Sequence, residues 1–212
     1  MMKGIFYALV LAALPLVALA QQCQVNDSNL NLNYDQTLDY QNAHIKTDFF
    51  MLVFSNSSIF CRGRQNQPKF KFQCDSGHQF GWVVHGLWGE SKAAYLSGNI
   101  HQHPRFCQGD LPKLALSTIK PYLCMSPGTA LLQGEWEKHG ACDFPNAKSY
   151  FAQEQALYQQ FKLPPASLNA SQAIQWMKRN NPQLKNKWLS RQGSEFGICF
   201  DKRFELISCP KK

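Results

Sequence analysis

The stretch FGWVVHGLW, Phe80–Trp88, sets one histidine, His85, inside an otherwise apolar run. A short run rich in aromatic and β-branched residues reads as a buried strand. A histidine there needs a partner or a purpose, because an unpaired polar group away from water is costly. Gly86 follows it and permits a bulge or a close approach. A satisfied core histidine would fit equally well, so the rest of the chain must decide.

Working outward, FFMLVFS, Phe49–Ser55, reads as a second buried strand. Residues 21–47 are polar and rich in Asn and Gln and read as surface loop. Residues 56–79 form a loop bearing Cys61 and Cys74, and residues 89–110 a long excursion carrying Gly, Pro and His. Leu114, Ile119 and Leu123 have helical spacing within residues 111–123. Ser149 is expected to cap a helix running to about Phe161, which Pro164 and Pro165 stop. Ser171 starts another helix through Lys178. EFGICF then alternates as a strand, residues 201–203 turn the chain, and FELISC returns. Helices and antiparallel strands in separate blocks give an α+β class.

The N-terminus stands apart. Lys3 precedes an apolar run, Ile5–Ala20, that ends with Ala18 and Ala20 at the −3 and −1 positions of a signal-peptide cleavage site. Residues 1–20 therefore read as an export signal and residues 21–212 as a single domain, secreted or periplasmic. The run is short for a span of about 20 residues and contains Pro15, so no stable membrane association is expected. The formal charge of +8, less that of Lys3, leaves +7 on the mature chain, which suits an anionic partner. All eight cysteines lie beyond the signal. An even count in an exported chain favours disulfides. Zinc would want C-x-x-C pairs, and the tightest spacing here is Cys199 to Cys209.

GEWEKHGAC, Gly134–Cys142, holds the second histidine. On a helix, Lys138 and His139 lie at i+3 and i+4 from Glu135, on one face. Trp136 points elsewhere, into the core, and Glu137 is expected in solvent. The same residues would suit an ordinary charged helix face. Two histidines, one on a strand and one on a helix, can instead serve as base and acid beside a lysine that holds developing negative charge.

HGLW (85–88) with EWEKHG (135–140), and the ending GICFDKRFELISCP (197–210), resemble the ribonuclease T2 family over nearly all of the mature chain. The resemblance implies a central antiparallel sheet with helices packed on it and stapled by disulfides. It implies a monomer that needs no metal or cofactor and cleaves single-stranded RNA to 2′,3′-cyclic phosphate ends with low base specificity. His85 corresponds to the acid for the leaving 5′-oxygen and His139 to the base for the 2′-hydroxyl. Glu135 and Lys138 correspond to the pair that stabilises the phosphorane, Trp88 to a base-stacking aromatic and Glu90 to a base contact. The resemblance implies the disulfides Cys107–Cys142 and Cys199–Cys209; Cys61–Cys74 is expected beside them, which leaves Cys23 with Cys124.

This chain departs from the family at two places. Gly134 stands where many members carry a phosphate-holding histidine, which implies weaker phosphate binding or a lower rate. His101 and His103 are candidate substitutes but read as surface. Gly89 stands where proline is common, which bears on the shape of the base pocket. Two other readings remain open: a catalytically weak RNA-binding or signalling protein, and a metal-dependent phosphodiesterase with Glu135 and His139 as ligands.

Overall fold

The computed structural model describes residues 23–211. The expected signal peptide, residues 1–20, lies outside them. Five strands form one antiparallel sheet: β1 (Phe49–Asn56), β2 (Trp82–Glu90), β3 (Ser190–Gln192), β4 (Glu195–Phe200) and β5 (Leu206–Ile207). Their order is β2-β1-β4-β3, with β5 also on β4. The central strand β1 is apolar on both faces because both are covered. Phe50, Leu52 and Phe54 join Val84, Leu87, Phe196 and Ile198 in the main core. Phe49, Met51 and Val53 face a smaller cluster with Tyr95 and the Cys199–Cys209 bridge.

One irregularity in β2 positions the site. Val53 pairs with Gly86 but Phe54 pairs with Val84, so His85 is the extra residue of a β-bulge. Residues three apart on a regular strand face opposite ways. The bulge shifts that alternation by one, and His85 and Trp88 lie on the same side with ring centroids 5.2 Å apart.

Four longer helices complete the frame: α1 (Lys92–Ser97), α2 (Thr129–Glu135), α3 (Ala147–Tyr158) and α4 (Ala170–Asn180). The caps of α3 and α4 differ from expectation. Asn146 caps α3 by accepting from Ser149 N, and Asn169 caps α4 in a reciprocal box with Gln172. Residues 111–123 give only one α-turn, Leu116–Ile119, and one 3₁₀ turn, Lys120–Tyr122, because Pro121 interrupts the backbone ladder. The loops at 56–79 and 89–110 contain short helical turns, and the surface loop 21–47 buries Tyr34 and Thr47. All four disulfides form as expected: Cys23–Cys124, Cys61–Cys74, Cys107–Cys142 and Cys199–Cys209. Among the described residues no helix is long and apolar enough to cross a membrane.

Candidate active site

The helix after α2 changes pitch at the motif. Residues Trp136–Gly140 form one π-helical turn, with an α-turn, Ala141–Asp143, beyond it. Such turns recur at functional sites because they widen the helix and redirect side chains. Trp136 anchors the turn in the core, as expected. Glu137, expected in solvent, is instead fully buried and accepts a hydrogen bond from Gln133. The Cys107–Cys142 bridge, and a hydrogen bond of 3.1 Å from Phe106 N to Lys138 O, hold the turn against the loop that follows β2.

Glu135 is the hub. It is 3% exposed and reaches β2, where its Oε2 accepts from Trp88 Nε1 at 2.7 Å. Its Oε1 lies 3.5 Å from His85 Nε2, and Oε2 lies 3.9 Å from His139 Nε2. Gly86 makes this approach possible: a Cβ there would stand 2.0 Å from Glu135 Oε2. On its other nitrogen, Nδ1, His85 meets Glu195 Oε1 at 2.9 Å. Glu195 comes from the start of β4, on the far side of β1. In the sequence it is marked only as the first residue of the strand EFGICF.

The two imidazoles are driven apart electrostatically. Burial by itself would lower His85, but the charge of Glu135 and its hydrogen bond, followed by those of Glu195, carry it up to about 10. Burial lowers His139. The opposing pull of Glu135 is outweighed by burial together with Arg105, Lys138 and His85, leaving His139 at about 4. Its Nδ1 is buried and has no hydrogen-bond partner among the described residues, which an uncharged ring tolerates better than an imidazolium. Burial would raise Glu135, but the cations around it, His85 first, bring it down to about 2. At neutral pH the site therefore holds a protonated His85, a neutral His139 and an ionised Glu135. Two titratable groups pushed to opposite sides of neutrality are the signature of an acid–base pair.

Lys138 lines the same cavity, and among the described residues no carboxylate lies within salt-bridge distance of its Nζ. The cavity, about 400 Å³, brings together His85, Trp88, Glu90, Glu135, Lys138 and His139. Trp88 is stacked on His139, with centroids 5.5 Å apart and planes at 24°, so one of its two faces is already covered. Glu90 is 6% exposed and meets His103 Nδ1 at 2.7 Å. This corrects the reading of His103 as surface: it is a wall of the cavity. His101 is exposed and packs on Tyr40. Asp39 and Tyr40, from the N-terminal loop, also line the cavity, and Asp39 grips Arg105 through both carboxylate oxygens.

The two departures have local reasons. A Cβ at Gly89 would lie 2.5 Å from Thr47 Oγ1 and 2.6 Å from Asp143 Oδ2. Those two groups are hydrogen-bonded to each other at 2.6 Å against the strand, so proline would not fit there. At Gly134 a Cβ would lie 3.3 Å from Gln36 Cγ and 3.4 Å from Lys138 Nζ, so Gln36 and Lys138 crowd the space a larger residue would need. For a metal, Glu135 is a poor donor: one oxygen accepts from Trp88 and the other faces His85. Among the described residues no cluster of His, Cys, Asp and Glu has the geometry to hold one.

Known proteins carry the same frame. A family model described as the Ribonuclease T2 family matches residues 47–188. A probable ribonuclease of Haemophilus influenzae is 42% identical over 202 residues, covering 91% of this chain and 73% of that protein. An RNase-related protein from Calystegia sepium superposes with a TM-score of 0.58 at 20% identity, over 80% of this chain and 93% of its own. The S-like ribonuclease trichomaglin gives 0.58 at 17% identity, over 79% and 93%. RNase NT, solved with 5′-AMP, gives 0.53 at 16% identity, over 79% and 92%. The solved structures establish the likeness of fold, and the family match and the 42% identical relative establish the kinship: the chain belongs to the ribonuclease T2 family.

Proposed function

We propose that this chain is a metal-independent endoribonuclease that cleaves single-stranded RNA by transphosphorylation. The observation that carries the reading is the pair of imidazoles set to opposite protonation states around Glu135, beside Lys138. His139, neutral, accepts the 2′-hydroxyl proton as that oxygen attacks phosphorus. His85, protonated, gives its proton to the 5′-oxygen as the P–O5′ bond breaks. The products are a 2′,3′-cyclic phosphate and a free 5′-hydroxyl. Lys138 stabilises the charge that builds on the phosphorane, and each proton transfer contributes about 10²–10⁴ in rate. RNA supplies the nucleophile, so DNA is not cut by this route.

Two cavities give the strand a direction. A second one, about 290 Å³, is lined by His85, Lys138 and Glu195 but not by His139. The acid serves the leaving group, so this cavity takes the nucleoside on the 3′ side of the cleaved bond. The larger cavity, which holds His139, takes the nucleoside on the 5′ side. There Trp88, which lines the cavity, serves for base stacking, which tolerates any sequence, and Glu90 with His103 supplies polar contacts. Residues 1–20 direct export and are removed after Ala20, and residues 21–212 act as one monomeric domain in the periplasm or outside the cell.

The test is incubation of the oxidised mature protein with single-stranded RNA in excess EDTA, followed by identification of the ends. Fragments ending in 2′,3′-cyclic phosphate, lost in His85→Ala and His139→Ala, are expected. Cleavage only after a divalent metal is restored would replace this reading with a metal-dependent phosphodiesterase. Binding without cleavage under any condition would make the protein an RNA-binding member of the family.

A further inference from the structure

Next to the larger cavity lies another of about 400 Å³, and Tyr95 lines both. The edge strand β3 runs from one to the other: Gln192 lines the first cavity, Ser190 and Arg191 the second. The Tyr95 hydroxyl and Ser190 Oγ are hydrogen-bonded at 2.6 Å, which fixes the wall between them. At the second cavity stands Trp188, 50% exposed, one of the few large apolar side chains left in water.

Trp188 is held firmly despite its exposure. Its backbone N–H donates to Ser208 Oγ at 3.1 Å, and its backbone carbonyl accepts from Cys209 N at 2.8 Å, which ties this segment to the end of the hairpin that Cys199–Cys209 closes. Lys178, near the end of α4, and Arg191 line the cavity with it, and Lys211 Nζ sits 5.4 Å from the Trp188 ring centroid. No acidic residue is among the described residues lining the cavity, and among the described residues no carboxylate pairs with any of these three cations. A solvent-facing indole on an anchored backbone, among unneutralised cations, is the chemistry that binds single-stranded nucleic acid, one group for a base and the others for phosphates.

We propose that this cavity is an exosite for the RNA strand on the 5′ side of the cleaved bond, with Trp188 stacking a base and Lys178, Arg191 and Lys211 taking phosphates. The direction rests on the proposed function, because the shared wall belongs to the cavity assigned to the 5′ nucleoside. The site would make the enzyme favour long strands over short ones without adding base specificity.

The test uses strands with a single 2′-hydroxyl, all other positions being 2′-O-methyl, so that only one bond can be cut. A dinucleotide is compared with strands extended by about six nucleotides on the 5′ or the 3′ side, a length typical of one single-strand site. The 5′ extension is expected to raise kcat/KM. Trp188→Ala should remove on the order of 5- to 100-fold of that gain, the range for one stacked base, and leave dinucleotide cleavage unchanged. Lys178→Ala with Arg191→Ala should flatten the salt dependence of the 5′-extended strand alone. A gain from the 3′ extension only, or one that survives in both variants, would overturn the proposal. If the wild-type protein fails to cut even the dinucleotide, the catalytic reading fails. The exosite is then judged by the binding of a fully 2′-O-methylated strand, which Trp188→Ala must weaken. Equal binding of polyglutamate, equally weakened by Trp188→Ala, would assign the cavity to an acidic protein partner and refute the RNA assignment.

Discussion

Gly86→Ala probes the hub of the site with a single methyl group. In the native arrangement the added Cβ would stand 2.0 Å from Glu135 Oε2 and 2.8 Å from its Cδ. The carboxylate has to leave. Its departure breaks the 2.7 Å bond from Trp88 and removes the principal charge holding His85 protonated. A hydrogen bond to a charged group contributes about 1.5–3 kcal/mol, so the expected loss of stability is about 2–4 kcal/mol once the displaced buried charge is included. Native stabilities run about 5–15 kcal/mol, so the variant still folds. Its effect on activity should mirror that of Glu135→Ala, and in both the basic limb of kcat/KM moves to lower pH. Urea denaturation and pH–rate profiles of both variants and their combination close a double-mutant cycle. In the Glu135→Ala background the two carboxylate contacts are gone and the methyl meets Trp88 Nε1 at 2.9 Å, on a ring that has lost its partner, so its cost should shrink. Strict additivity, or a Gly86→Ala protein with native stability and pH profile, would refute the reasoning.

Other expectations follow from the same geometry. The wild-type profile of kcat/KM should rise as His139 loses its proton near pH 4 and fall as His85 loses its own near pH 10, with a plateau between. A single limb titrating at an ordinary imidazole pH would contradict this. Glu195→Gln removes one of the two carboxylates that raise His85; the basic limb should move down and kcat fall with KM unchanged, whereas a change in KM alone would assign Glu195 to binding. Glu154 is buried, one of its oxygens has no hydrogen-bond partner among the described residues, and burial, helped by Glu135, raises it well above 4.5. It stays protonated in the folded state while the unfolded chain ionises, so its contribution is full below about 4.5 and declines as pH rises. Glu154→Gln should therefore gain stability relative to wild type between pH 4 and pH 8, measured by thermal melting at both. Gly134→His must displace Gln36 or Lys138 and alone should cost about 1–3 kcal/mol; paired with Gln36→Ala it should tighten binding of inorganic phosphate, read by calorimetry.

The strands and the two histidine motifs were legible because they are local. An apolar run containing His85, and an acid, a cation and an imidazole within one helical turn, announce themselves without tertiary information. Glu195 did not. It reaches His85 across β1 from a point 110 residues away in sequence, and an acid at the start of a strand has nothing local to mark it. The grip of Asp39 on Arg105 and of Glu90 on His103 was hidden for the same reason, so His103 read as a loop residue. Glu137 reads as a solvated acid because nothing local marks its side of the helix as covered; it lies one turn after Gln133, which is itself buried and donates to it. Asn146 and Asn169 cap their helices in place of the serines a few residues downstream, which moves the helix starts but not the faces they bury.

The single surplus residue in β2 works like a change of reading frame. Upstream of His85 the strand deals its side chains to the two layers in one phase, and downstream in the other. Trp88 and Glu90 reach the cavity only because that phase was changed once. Losing a residue after the bulge, such as Leu87, would undo that change and turn both toward the apolar layer beneath. The HGLW segment thus tolerates substitution more readily than a change of length: a wrong residue weakens one contact, but a wrong count removes an entire wall of the site.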